Sequence, residues 1–174
     1  EGRVISRAII DFETRSECNI KTHGSWRYSL DPTTVPLCLA FRLPYWAKTE
    51  FGLWHPGFPH LGIVEEDMFG NLYELMEWIL DERNLVEAHN SFFERGVWTN
   101  VMVPRFAFPP IKHHQWRCSA AKSAALALPR ALGDVAAALK LDIRKDAEGH
   151  LLMKKVSKPR KELKAEEAEW LNAH

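Results

Sequence analysis

Cysteine is scarce in this chain. Its three cysteines, Cys18, Cys38 and Cys118, are odd in number and far apart. With no C-x-x-C spacing, neither a disulfide scaffold nor a structural zinc site is expected, and a reducing, cytoplasmic setting fits best. No apolar run approaches the ~20 residues a membrane helix requires, so no membrane partner is expected. Nor is there an excess of charge, the formal net charge being zero. Overall charge therefore favours no nucleic-acid partner, although a local basic segment can still act. A secretory leader is not expected, because Glu1-Gly2-Arg3-Val4 runs directly into a strand pattern.

What is present is an ordinary globular composition: 46% hydrophobic and 26% charged over 174 residues, enough for one domain with a sizeable core. Val4 to Ile10 reads as a first buried strand. The polar stretch from Arg15 to Thr34, broken by Gly24 and Asp31-Pro32, reads as a long loop with a short helical turn near Trp26-Arg27-Tyr28. Val35 to Leu43 and Glu50 to His55 read as further strands, separated by Pro44. Three strands in succession predict an antiparallel start to a mixed sheet.

Helical periodicity follows. Phe69, Leu72, Tyr73, Leu75, Met76, Ile79 and Leu80 share one face. Leu85 to Ala88 is a short strand candidate. His89-Asn90-Ser91 then offers capping residues for a helix carrying Phe92, Phe93, Val97, Trp98 and Val101. Trp116-Arg117-Cys118-Ser119 leads into an Ala-rich helix ending at Pro129, and another is expected over 131–139. From Asp142 to Lys164 the chain is polar and basic, as expected of a segment that is mobile or awaits an anionic partner. A last helix is expected to begin over Glu166 to Trp170.

The chemistry starts at Asp11-Phe12-Glu13-Thr14. In a strand, residues i and i+2 share a face, about 6–7 Å apart by the usual rise. Two like charges so placed call for a cation. A third carboxylate, Glu94, falls in the first turn of the helix after Ala88-His89-Asn90, where the helix dipole favours an acid. His113-His114 has no third ligand at a useful spacing, and most of the seven tryptophans read as packing residues.

Together these motifs make the chain resemble the 3′–5′ exonuclease domain of bacteriophage-type family A DNA polymerases. That domain belongs to the DEDD exonuclease superfamily, with a ribonuclease H-like fold. The first motif is Asp11-Phe12-Glu13-Thr14. The second is Ala88-His89-Asn90 with Phe93-Glu94-Arg95 and Trp98; phage-type members resemble this chain in using Glu where the wider superfamily has Asp. The likeness continues through Gln115-Trp116-Arg117-Cys118-Ser119, Leu128-Pro129 with Leu132, Lys145-Asp146 with Gly149, Leu152-Met153 and Lys158-Pro159. The family's third motif, a Tyr or His four residues before an Asp, is not found after Lys158, as if the chain stopped before that helix.

The resemblance implies an α/β fold: a ribonuclease H-like mixed sheet, antiparallel over three strands and then parallel, flanked by helices. It implies a single domain over residues 1–174 that lacks the third-motif helix. It implies hydrolysis of single-stranded DNA or a frayed 3′ primer end by two Mg²⁺ or Mn²⁺ ions, in the manner of a proofreading nuclease beside a polymerase domain. Asp11 would bridge both ions, Glu13 would hold the one carrying the attacking water, and Glu94 would complete the second. Thr14, His89, Asn90 and Phe93 are the candidate contacts to the terminal nucleotide. Lys154, Lys155, Lys158 and Arg160 are the candidates for tracking phosphates. Without the third motif, weak metal binding and little activity are expected. The alternative is an inactive nucleic-acid-binding or scaffold domain of the same fold.

Overall fold

The computed structural model describes residues 6–47, 50–57, 72–142 and 146–157. Strand β1 spans Arg7–Arg15, so Asp11 and Glu13 lie within the strand rather than beyond its end. The reason is visible in the alternation. Ala8, Ile10, Phe12 and Thr14 are all buried on one face, while Ile9 on the other remains 48% exposed. Amphipathic alternation sustains a strand through two charges because both fall on the less covered side.

The sheet has five strands in the order β3-β2-β1-β4-β5, with β2 at Val35–Arg42, β3 at Gly52–Trp54, β4 at Leu85–Ala88 and β5 at Trp116–Cys118. β1, β2 and β3 pair antiparallel, and β4 and β5 join in parallel. Ile10 faces Phe41 and Phe12 faces Leu39 across the β1–β2 ladder. β5 is a strand where the sequence suggested only a lead into a helix. Three residues are too few for a periodic signal, and its pairing with β4 creates it. The antiparallel start and the helical flanks expected from the sequence are present.

Helix α1, Ile20–Leu30, replaces the expected loop. The Asn19 side chain caps it by accepting from the Lys21 N–H at 2.9 Å. A kink at Gly24, with φ +76°, interrupts the periodicity that would have revealed it. α2, Leu72–Leu80, buries Leu75 and Ile79. The rest of that expected helix, from Phe69, lies outside the described residues.

After β4 the chain turns through Asn90, at φ +64°, into α3, Phe92–Val97. α3 continues through a wider π turn, Trp98–Met102, into α4, Val103–Phe106. Pro104 has no N–H to donate, and the π turn just before it accommodates that gap. Val97, Trp98, Val101 and Met102 are completely buried. Trp98 packs against Phe12 and Phe108, at ring-centroid distances of 6.0 and 5.3 Å. This is the centre of the core.

Among the described residues three further helices follow: α5 at Ser119–Ala125, α6 at Leu132–Ala138 and α7 at Ala147–Val156. α7 lies inside the stretch expected to be mobile. The Asp146 carboxylate caps it, accepting from the Glu148 N–H at 3.0 Å. The expected helix over Glu166 to Trp170 lies outside the described residues.

Candidate functional site

β1 and β4 run parallel, so the loop after β4 and the start of α3 rise beside the second half of β1. That topology carries Glu94 toward Asp11. Glu94 is only 3% exposed, and its Oε2 is buried with no hydrogen-bond partner. Its pKa is pushed up to about 8. Burial is the largest cause, and its own backbone N–H acts in the opposite direction. The charges of Asp11 and of the Cys118 thiolate raise it further.

Asp11 is exposed and Glu13 half-buried, both on the strand face away from Phe12. A register shift between Glu13 and Thr14 marks a bulge in the ladder. Opposite Glu13 on β2 is Cys38. Its thiol is pushed up, first by burial, then by the Glu13 charge against a favourable Glu13 backbone N–H, and lastly by Asp11. A neighbouring thiol thus registers the negative potential of this strand face.

The structure therefore couples Asp11 to Glu94 and keeps Glu13 on the same face. Among the described residues, no three His, Cys, Asp or Glu side chains are gathered into a ready metal cage. The donor set still suits a hard divalent ion, being all carboxylate oxygen. The orphaned, buried Glu94 Oε2 is the kind of atom such an ion satisfies.

Thr14 sits on the core face, its Oγ1 2.8 Å from the Tyr28 hydroxyl. Tyr28 is pushed up by burial, relieved by that Thr14 bond, and raised again by Cys18 and Glu13. Phe93 is half-buried with its ring 5.9 Å from Tyr28. His89 has both ring nitrogens engaged within the protein: Nδ1 lies 2.9 Å from Ser119 Oγ, and Nε2 lies 2.8 Å from the Arg130 carbonyl. A carbonyl only accepts, so Nε2 carries a proton and donates. His89 thus fastens the turn between α5 and α6 to the end of β4. Asn90 is exposed in the left-handed turn, its carbonyl accepting from the Phe93 N–H at 3.0 Å.

A cleft of about 790 Å³ opens between the end of β1, the start of α1 and α7. Glu13, Thr14 and Tyr28 form one wall, and His150, Met153 and Lys154 face them from α7. Lys154 therefore shares a cavity with a candidate metal ligand. Lys155 is exposed on the same helix. Lys158 and Arg160 lie outside the described residues.

Sequence reasoning missed the surroundings. Cys118 ends β5 and caps α5, its Sγ accepting from the Ala121 N–H at 3.4 Å. Burial pushes this thiol up. Hydrogen bonds from the backbones of Ala121, Ser91 and Asn90, and from the Ser91 side chain, outweigh burial and hold the pKa below the usual thiol value. No sequence signal marks that role, because Cys118 and Asn90 meet only once β4 and β5 pair. Compared with models of known protein families the chain matches none, and no curated protein matches it.

Proposed function

We propose that this chain is a 3′–5′ exonuclease domain of the type found in bacteriophage-type family A polymerases, acting on single-stranded DNA 3′ ends. One observation carries the reading: a buried carboxylate, Glu94, set at the first turn of a helix against a second carboxylate, Asp11, with an oxygen left unpartnered. Burying an unrelieved acid beside a like charge costs stability, so the arrangement is best explained by a cation. The strand order 3-2-1-4-5, with its antiparallel first three strands, supports the ribonuclease H-like fold that the sequence resemblance implies.

Asp11, Glu13 and Glu94 would hold the divalent ions. Once bound, the ions supply a nucleophilic water and neutralise the leaving 3′ oxygen. Glu94 is largely protonated near neutrality when alone, so it must release its proton to become a ligand. Metal occupancy therefore rises with pH up to about 8. Lys154, facing Glu13 across the cleft, supplies positive charge where the phosphodiester would lie.

The test is a 5′-labelled single strand incubated with the chain and Mn²⁺. The expected result is stepwise shortening from the 3′ end, slow because no third-motif carboxylate has been found, and lost in Asp11→Ala. No response to Mn²⁺, or shortening indifferent to Asp11→Ala, overturns the reading. The alternative reading is a binding domain of the same fold without catalysis. Mn²⁺-dependent binding with no shortening is its signature.

A further inference from the structure

Phe93, the aromatic residue expected to contact the terminal nucleotide, is half-buried and packs on Tyr28. A different pair faces solvent. Trp26 on α1 is 45% exposed and Phe92, the first residue of α3, is 53% exposed. Their ring centroids are 6.4 Å apart with planes inclined by 37°. Each ring steadies the other, while about half of each stays open to a third flat group.

The seam between the helices holds this pair in place. Phe92 and Gly96 are four residues apart and share one side of α3. A Cβ built on Gly96 would lie 2.8 Å from Ser29 Oγ of α1. Only glycine allows the two helices to approach so closely, and that approach brings Trp26 against Phe92.

The helix that carries Trp26 is basic. From Ile20 to Leu30 the helix contains Lys21, His23 and Arg27 and no acidic residue, in a chain whose net charge is zero. Exposed aromatic faces on a helix that carries Lys21 and Arg27 complement a strand of stacked bases and phosphates. The position is also consistent: Phe92 opens the short helix that carries Glu94, two residues further on.

We infer that Trp26 and Phe92 form a stacking platform for bases of single-stranded DNA upstream of the nucleotide at the carboxylates. This rests on the nuclease reading for its ligand, and the test separates the two. Binding of a fluorescein-labelled oligo(dT) is followed by anisotropy without divalent metal, at low and high salt, beside the same strand with abasic sites. Trp26→Ala/Phe92→Ala is expected to weaken oligo(dT) binding about five- to hundredfold. The salt slope should be unchanged, and the preference for intact over abasic strand should disappear. Phe92→Leu keeps an apolar side chain without a π face and guards against loss of folding. It should lose part of the same affinity with an unchanged melting temperature. Binding within twofold of wild type in the double variant, or an equal loss on intact and abasic strands, overturns the platform and leaves the nuclease reading standing. A wild-type chain that binds no oligo(dT) at low salt also overturns the platform. Mn²⁺-dependent shortening then decides separately whether the nuclease reading falls with it.

Discussion

The body built from β1, β4 and the α3–α4 helix differs sharply from the run of helices α5 to α7. In the first, Val97, Trp98, Val101 and Met102 are wholly buried. In the second, Ala120 and Val135 are buried, whereas Leu126, Leu132, Leu139, Leu141, Leu151 and Leu152 are each at least 44% exposed. The first region is packed from β4 through the π turn, although α4 beyond it buries no residue. The other is held at a few points, such as the His89 bonds to Ser119 and Arg130. The carboxylates belong to the packed region, while the far wall of the cleft belongs to the loosely held one.

The largest expected effect tests this contrast directly. Trp98→Ala should cost about 3–5 kcal/mol, because it empties the core and removes a 2.9 Å bond from its Nε1 to the Pro109 carbonyl. Leu151→Ala, at a residue 65% exposed, should cost less than about 0.5 kcal/mol. Chemical denaturation of both variants checks the pair. Comparable losses would show that the helical region is packed as tightly as the body.

Next in size is the pH dependence imposed by Glu94. Its pKa is raised from 4.5 unfolded to about 8 folded, so the folded state holds the proton more tightly. In the metal-free protein the contribution of Glu94 is therefore fully present below pH 4.5 and is lost as pH rises from 4.5 toward 8, by at most about 5 kcal/mol. Glu94→Gln should flatten that decline. Urea midpoints measured across this range, in the presence of a chelator, provide the check, and parallel declines in both proteins would contradict the assignment.

His89→Ala sharpens the comparison from the other side. It removes two attachments of the helical region, with an expected cost of about 1–2 kcal/mol. Amide exchange should accelerate over residues 119–131 and not in β1. A smaller effect separates two thiols. Hydrogen bonds lower Cys118, while burial and carboxylates raise Cys38, so iodoacetamide should label Cys118 first, by about tenfold near neutral pH. Smallest of all, Lys154→Ala should reduce the salt slope of DNA binding by about one.

How much of this was legible beforehand follows the same division. The placement of Asp11 and Glu13 on one strand and of Glu94 at a helix start was readable, because each motif is local. The sheet's first three strands were readable from alternation. α1 and α7 were not, since each begins at a side-chain cap, Asn19 or Asp146, and the kink at Gly24 breaks the periodicity of α1. β5 was invisible because pairing, not propensity, defines it. The inward turn of Thr14 and Phe93, the engaged ring of His89 and the role of Cys118 all depend on neighbours distant in sequence. The Trp26–Phe92 pair was hidden for the same reason: it spans two helices joined at Gly96.

On the proposed reading, Asp11 and Glu94 form a pair completed by a cation. That pairing is tested most directly by thermal unfolding at pH 8 with increasing Mn²⁺, in wild type and Glu94→Gln. The account predicts that Mn²⁺ stabilises wild type, by about 2.7 kcal/mol at a hundredfold excess over its Kd, and that Glu94→Gln shows little of that gain. Equal responses in the two proteins, or none in wild type, would contradict it.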